Sequence, residues 1–542
     1  MMKLFIKKNI FILLIVVCIF VGLFLRIYNL YDHMYFGFDQ GRDFQRIEQI
    51  ATLKNFKLLG PETYIPGLFN SPLYYYILTP IFVLSGGNPY WSIILLGLVN
   101  MGVACVLYML ASTLFSSRWV GAISVFLWSI SFEQNNFARH LSQAPLAIMF
   151  TAIFYLGLAY FFLKNKKSGL LLSVVGLGLS VHSNIYFVYL VALYPILYLI
   201  YLPKIPVKKA LLSTVALIGI LSSFILAEIK FHFIGIKSLL MFMEGKQGTA
   251  VVVFNNLSNY IQKITEAVVY SFFSFNYLWA FLFLVVVVIL LYNYAEKKNA
   301  HFLMLIALST LPLFAYKSSI LESTMINASI YVPLTLIVAA SIFYLLKDGK
   351  TRVFGIVFLI VIVISNLKLF AADSFVGMDR IAYQNLTYTD ETKSIDYTYS
   401  AAHLKPFSIC TITNPLFVNT LWTYLYESYG QKKYGYIPTW SGQRQENNVS
   451  LPDDTSHTPI RYLIIEPMIG IPEIAKKTVI YMEDQVSTLQ EEKQIGDIRI
   501  QKRLLKPATM PPQDSQHLSQ NEIGSVTATM QSDPRYSCFQ AY

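Results

Sequence analysis

About eleven apolar runs, each close to the roughly 20 residues a helix needs to cross a bilayer, leave this chain few folds to choose from. They fall near 9–27, 91–115, 119–134, 142–163, 168–183, 185–202, 210–232, 274–294, 301–318, 325–346 and 353–371. Backbone polar groups inside a bilayer must be satisfied within the segment, so runs of this length predict helices. The loops agree on one orientation: Arg118, then Lys164, Lys166 and Lys167, Lys204, Lys208 and Lys209, Lys297 and Lys298, and Lys347, Lys350 and Arg352 share a face with Lys3, Lys7 and Lys8. Basic loops mark the cytoplasmic side. Arg26-Ile27-Tyr28 is a poor cleavage site, so the first run reads as an uncleaved span with a cytoplasmic N-terminus, and the odd count sends the C-terminus outside.

Composition excludes the other large classes. Charged residues make up 13% of the chain and hydrophobic ones 55%, against roughly 25% charged in a soluble domain. The net charge of +11 lies largely in the short cytoplasmic loops, which makes it a topology signal with no nucleic-acid partner. Aromatic side chains, 15% of the total, suit repeated contact with interfacial membrane lipids. The four cysteines, Cys18, Cys105, Cys410 and Cys538, are scattered, and their spacing shows neither a disulfide scaffold nor a metal-ligand motif. No cytoplasmic loop is long enough for a nucleotide-binding domain, which argues against an ATP-driven pump and against a nucleotide-sugar enzyme working inside.

The remaining charge gathers at the opposite face. Asp39, Arg42, Asp43, Glu62, Glu133, Arg139, His140, His182, Glu228, Lys317 and Glu322 all fall on or near the non-cytoplasmic ends of spans. A transporter more often places lone ionisable residues within spans and shows paired, interrupted helices in two repeats; no such repeat is visible. Between the first two spans, Gly37 to Phe56 places Phe44, Ile47, Ile50, Ala51 and Leu53 at helical spacing opposite Arg42, Gln45, Arg46, Gln49 and Lys54. This predicts an amphipathic helix lying on the membrane surface. Leu58-Leu59-Gly60-Pro61 and Ile65-Pro66-Gly67 then turn the chain, and Ser71-Pro72-Leu73-Tyr74-Tyr75-Tyr76 opens a second, apolar element. Its tyrosines read either as interfacial anchors or as the wall of a cleft for a lipid or a sugar.

The runs Phe38-Asp39-Gln40-Gly41-Arg42-Asp43, Leu58 to Pro61, Ile65 to Gly67 and Ser71 to Tyr76 resemble the first external loop of bacterial GT-C superfamily membrane glycosyltransferases. These are relatives of the protein O-mannosyltransferases (family 39) and of the aminoarabinose transferase that modifies lipid A. The resemblance covers roughly residues 1–371. It implies a mainly α, polytopic GT-C fold with surface helices in the first external loop, and a sugar donor carried on a polyprenyl phosphate. Where many relatives carry His-Gly or a similar pair, this chain has Asn70-Ser71. Phe137-Ala138-Arg139 resembles the family's external arginine segment, and Gly178 to His182 a span end that carries a histidine.

Such a transfer needs a base for the acceptor proton and positive charge for the departing phosphate. The resemblance implies that the first acid, Asp39, is the base. Asp43, at i+4 on the same helix face, is the second catalytic candidate, and Arg42 between them either serves the site or locks one acid in an ion pair, in which case that acid is structural. Arg139 and Lys317 are the best-placed cations, with His182 and Arg42 behind them; Glu133, Tyr74 and Tyr75 complete the candidate substrate contacts. Asp39, Asp43 and Glu133 are hard oxygen donors of the kind a divalent ion takes. Some relatives use a metal and others need none; no cofactor is assigned.

From about Ala372 the pattern changes to short strand-like runs, Phe407 to Ile412, Arg461 to Ile465 and Asp497 to Lys502, among polar turns. Asn419 to Tyr429 and Thr488 to Gln494 read as helices. The expected organisation is a membrane-embedded catalytic domain (1–371), a small external α/β or α+β domain (372–507) and a disordered tail (508–542) rich in Ser, Gln, Thr and Pro. The aromatic patch Trp422, Tyr424, Tyr426, Tyr429, Tyr434, Tyr436 and Trp440 reads first as core and second as a sugar-stacking surface. The functional expectation is a glycosyltransferase at the outer face of the cytoplasmic membrane, with a lipid, glycan or protein as acceptor. The alternatives are a flippase of lipid-linked sugars and a noncatalytic scaffold.

Overall fold

A computed structural model of the chain describes residues 2–63, 65–243, 253–315, 327–372, 386–414, 418–441, 451–454, 458–467 and 473–506. Lys317, Glu322 and the tail 508–542 lie outside the described residues. The chain forms two units, one of Met1–Leu30 with Gln49–Ile381 and one of Tyr31–Glu48 with Ala382–Tyr542.

The first unit is helical. Its elements are α1 (Met2–Ile27), α3 (Leu73–Leu84), α4 (Pro89–Phe115), α5 (Arg118–Ile130), α6 (Phe132–Arg139), α7 (Ala144–Leu158, prolonged by a π turn to Leu163) and α8 (Ser168–Ser183). Then come α9 (Leu193–Tyr201), α10 (Val207–Ile220), α11 (Ser222–Lys230), α12 (Ile234–Met243), α13 (Val253–Ser271), α14 (Tyr277–Tyr294), α15 (Lys297–Ala307), α16 (Tyr331–Lys347) and α17 (Arg352–Ala372). Helix α2 (Phe38–Ala51) is largely part of the second unit.

Every apolar run of the sequence has a helical counterpart among these elements. Among the described residues, five are long and apolar enough to cross a membrane, and six if α10 and α11, bent by 49° at their junction, make one span. The others are shorter or broken. The expected span 119–134 stops at Ile130 because Ser131 turns extended and caps α6, accepting a hydrogen bond from the Gln134 amide at 3.3 Å.

Helices α7 and α16 are largely buried, whereas α14 and α17 expose apolar side chains such as Leu278, Phe281, Val285, Ile289, Phe354, Ile360 and Ile364. Surfaces of this kind are tolerated where lipid, not water, is the solvent. Helices α7 and α8 pack through glycines. A Cβ on Gly157 would lie 2.3 Å from the Ser173 amide nitrogen, and one on Gly176 would lie 2.5 Å from that of Phe154. Close approach of small residues is how helices gain packing energy in lipid.

The second unit is a five-stranded sheet with helices. The strands β1 (Ser408–Ile412), β2 (Thr439–Trp440), β3 (Ile460–Ile465), β4 (Ser487–Ile495) and β5 (Ile498–Leu505) are ordered β2-β1-β3-β5-β4. Strand β1 is parallel to β2 and β3, with Ile409 opposite Tyr462, while β5 runs antiparallel to β3 and β4. The helices are α18 (Tyr388–Ala401), α19 (Thr420–Leu425, continued as a π turn Tyr426–Gly430), α20 (Gln431–Tyr434) and α21 (Glu473–Val486). The three expected strands are present. Thr488 to Gln494, expected as a helix, is instead most of β4, an exposed edge strand. Its Glu, Gln and Lys residues favour a helix locally, but Gly496, with φ +55, turns the chain into β5 and cross-strand pairing decides.

The glycine contacts give a paired test. Gly176→Leu should force α7 from α8 and cost about 1–3 kcal/mol, read as a lower melting temperature of the detergent-purified protein. Gly219→Ala, in α10 with nothing within 4 Å of the added carbon, should leave it unchanged or slightly raised.

Candidate functional site

The conspicuous charge cluster begins α2. Gly37 donates its amide to Gln40 Oε1 at 3.1 Å, half of a capping box. One turn of helix then sets Asp39, Arg42 and Asp43 on one side. Arg42 bridges both acids: Nη1 lies 2.7 Å from Asp39 Oδ1, while Nη2 and Nε donate to Asp43 Oδ1 at 3.0 and 3.1 Å. The two acids differ in access. The Asp39 side chain is 66% exposed and that of Asp43 8%.

Gly41 has a packing reason within this run. A Cβ there would lie 2.9 Å from the Leu421 Cα, so α2 rests directly on the backbone of α19. Phe44 and Phe36 meet edge-on at 5.4 Å, and both pack on Tyr424 of the same helix. The segment before α2 is knitted in as well: the Tyr388 amide donates to the Met34 carbonyl at 2.9 Å, and Thr389 Oγ1 to that of Tyr31 at 2.8 Å. The amphipathic helix expected over Gly37 to Phe56 is present but ends at Ala51, with Leu53 exposed beyond it, and Phe44 packs on protein in the second unit where the sequence reading put this face on the membrane surface.

Helix α19 is held from behind by a carboxyl. Trp422 Nε1 donates to Glu466 Oε1 at 2.9 Å, and the Asn414 amide to its Oε2 at 3.0 Å. Burial pushes Glu466 up to about 7, against these two hydrogen bonds, which lower it. Glu391 on α18 is fully buried and pushed well above the usual carboxyl range, first by burial and then by Glu466 and Asp390. Neither oxygen of Glu391 has a hydrogen-bond partner among the described residues. The sequence reading missed both acids; the only signal was two glutamates adjoining strand-like and tyrosine-rich runs.

In the first unit the polar helix α6, Phe132 to Arg139, is buried along its whole length. Glu133 accepts from the Tyr331 hydroxyl at 2.6 Å. Arg139 donates Nη1 to the carbonyls of Tyr28 at 2.7 Å and Leu25 at 3.2 Å. Gln134 Oε1 accepts from Asn100 Nδ2 at 3.2 Å, and Asn100 Oδ1 accepts from Arg26 Nε at 3.0 Å. Arg26 also donates to the carbonyls of Gly22, Trp128 and Ser129. Sequence reasoning gave no site role to Arg26, Asn100 or Tyr331, because each is a single polar residue in or beside an apolar run.

His182 ends α8 with both ring nitrogens engaged. Nε2 meets the Ile220 carbonyl at the bend between α10 and α11, and so carries the proton; Nδ1 then accepts from Ser71 Oγ at 2.6 Å. Asn70 Oδ1 accepts from the Ile185 amide at 3.0 Å. The pair Asn70-Ser71 therefore ties the first loop to the end of α8. Tyr74 and Tyr75 are buried on α3, with ring centroids 6.0 Å apart. Among the described residues no group of three or more His, Cys, Asp or Glu is arranged to hold a metal ion.

Glu466 and Glu391 give the second unit a pH dependence. An acid whose folded pKa is raised contributes stability that is complete below the ordinary value of 4.5 and is lost as pH rises through about 7. For Glu466 the loss is on the order of 3 kcal/mol. After correction for intrinsic chemistry, hydrogen exchange in β1 and β3 should be faster at pH 8 than at pH 5. Glu466→Gln should shrink that difference, and equal protection at both pH values in the wild type would refute the argument.

No protein-family model and no curated protein sequence matches the chain. Among solved structures, ArnT from Cupriavidus metallidurans in the apo state matches with a TM-score of 0.57 at 11% identity, over 92% of this chain and 98% of that one. ArnT from the same organism bound to undecaprenyl phosphate matches at 0.55, again at 11% identity over 92% and 98%. At such identity the likeness is one of architecture, and ArnT is a GT-C glycosyltransferase. The chain has the polytopic, helical GT-C fold, completed by a small C-terminal sheet domain.

Proposed function

We propose that the protein is a glycosyltransferase that moves a sugar from a polyprenyl-phosphate donor onto an acceptor hydroxyl at the outer face of the cytoplasmic membrane. The carrying observation is the match of nearly the whole chain to ArnT, one of whose structures holds undecaprenyl phosphate. In the reaction the acceptor oxygen bonds to the sugar's anomeric carbon while the bond from that carbon to the phosphate oxygen breaks. The electron pair leaves on the phosphate, and the acceptor proton goes to a base.

Asp39 is that base. Of the two acids on α2 it is the exposed one, and its ion pair with Arg42 Nη1 orients it without burying it. Asp43, buried and bonded to two nitrogens of the guanidinium, holds Arg42 in place and acts as a positioning residue. Charge on the departing phosphate is met by Arg139 and Lys317. Arg139 is fixed by two backbone carbonyls in a buried setting, where a preorganised cation counts for most. Glu133, fully buried and bonded to the Tyr331 hydroxyl, is assigned to holding α6 and with it Arg139 in place, and Tyr74 and Tyr75 to the apolar wall of the donor site. His182 serves by locking the bend at Ile220, since both its nitrogens are already engaged. No metal is assigned a part. The donor faces outward, where free nucleotide sugars are lacking, which favours a lipid carrier.

Membranes carrying matched amounts of wild type or Asp39→Asn, given a panel of radiolabelled polyprenyl-phosphate sugars, test this. The wild type should consume at least one donor, and Asp39→Asn should slow it about a hundredfold or more, the scale of losing an acid–base group. Equal rates would remove Asp39 as the base. A wild type that consumes no donor would return the protein to the flippase or scaffold classes.

A further inference from the structure

The aromatic run of the C-terminal unit divides in two. Trp422, Tyr424, Tyr426 and Trp440 are core, whereas Tyr429, Tyr434 and Tyr436 stay half-buried beside an exposed Lys433. Asp396 on α18 organises this second group. It accepts from the Tyr434 hydroxyl at 2.8 Å, from the Tyr429 hydroxyl at 3.0 Å and from Lys433 Nζ at 2.9 Å. Lys433 also lies 5.1 Å from the Tyr429 ring centre and 5.6 Å from that of Tyr434.

Two features make the patch rigid. The Tyr434 ring stacks on buried Tyr399 with centroids 4.1 Å apart and planes 13° from parallel, and Tyr399 donates its hydroxyl to the Tyr436 carbonyl at 2.6 Å. The preceding turn, Tyr426–Gly430, is π-helical and widens the helix just before Lys433 and Tyr434; such turns are unfavourable and recur where function retains them. Space is open above Gly435, where an added Cβ would meet nothing within 4 Å.

We propose that Tyr434, Tyr436, Asp396 and Lys433 form a carbohydrate subsite that holds a pyranose ring of a glycan acceptor. Aromatic faces are electron-rich and attract the C–H face of a sugar. Lys433 spends its three N–H groups on both oxygens of Asp396 and on the Tyr429 hydroxyl at 2.8 Å, so this pair fixes the orientation of the rings and the ring faces make the contact with the sugar. The patch carries one charge of each sign, which suits a neutral polyol better than an anionic lipid surface or a nucleic acid. The choice of an acceptor glycan rests on the glycosyltransferase reading and narrows its acceptor to one that carries sugar.

The test uses the full-length protein in a detergent without sugar headgroups and with no donor present. Binding of mannotriose, maltotriose and chitotriose is followed by saturation-transfer NMR. At least one should bind with a Kd below about 10 mM. Tyr434→Ala should weaken it at least about tenfold and Tyr434→Phe, which keeps the ring, less than about threefold. Lys433→Ala, at an exposed side chain, covers the case in which Tyr434→Ala fails to fold and should weaken binding by about threefold or more. Absence of binding by all three probes, or binding untouched by these variants, overturns the subsite. Probe binding by a wild type that transfers no sugar from any donor would instead fail the glycosyltransferase reading and leave the subsite standing.

Discussion

A guanidinium buried among apolar helices sets the terms for the first unit. Arg26 ends the first apolar run and is met by one amide oxygen and three backbone carbonyls drawn from α1, α4 and the end of α5. A buried cation without such partners would cost several kcal/mol, so the positions of α1, α4 and α5 are tied to one another through it. Asn100 passes the constraint on, because the amide that accepts from Arg26 donates to Gln134 on α6. The polar helix α6 is therefore held at one end by Gln134 and at the other by Arg139 on the carbonyls that close α1. Tyr331 fixes Glu133 from α16, and Asn366 of α17 accepts the Phe132 amide at 2.8 Å. In a low-dielectric interior these bonds are directional where apolar packing is not, which is how a bundle of apolar helices keeps a polar element in one orientation.

The second unit solves a different problem with backbone contact. Helix α2 carries three charged residues on one face and must still be anchored by the other. Gly41 lets its backbone touch that of α19, and Phe44 and Ile47 bury their side chains on the same flank. Helix α19 is in turn held through Trp422 by Glu466, at the end of the central strand β3. The charge cluster is thus linked to the sheet by one glycine, one tryptophan and one buried carboxyl.

What was legible in the sequence follows from what is local. Apolar runs declare helices because a bilayer leaves the backbone no alternative, and the spacing of Phe44, Ile47 and Ile50 declares α2. The break at Ser131 was invisible, since Ile130 and Phe132 continue the apolar run and only the cap geometry ends the helix. Strand β4 was misread because its residues favour a helix and only pairing with β5 overrides them. Arg42 was legible as a partner for one of the acids at i−3 and i+1, and only the fold shows that it bonds both. Arg26, Glu391 and Glu466 were not legible as a set, because their importance lies in partners 44 to 103 positions away or in burial that no window shows. The half-exposed Tyr434 and the buried Tyr424 look alike in the chain, and the fold alone separates them.

In the proposed reaction, the chemistry turns on the difference between the two acids of α2. Two carboxylates four residues apart look interchangeable in the sequence. Folding makes them unequal: Asp43 is covered and takes two nitrogens of Arg42, while Asp39 is exposed and takes the third. A general base must reach a hydroxyl of a second molecule, which a covered carboxylate cannot do without uncovering itself and leaving the arginine behind. An exposed carboxylate alone would sample many rotamers. One arginine bonded to both lets the covered acid supply rigidity to the exposed one, and on the proposed mechanism that gives identical groups different work.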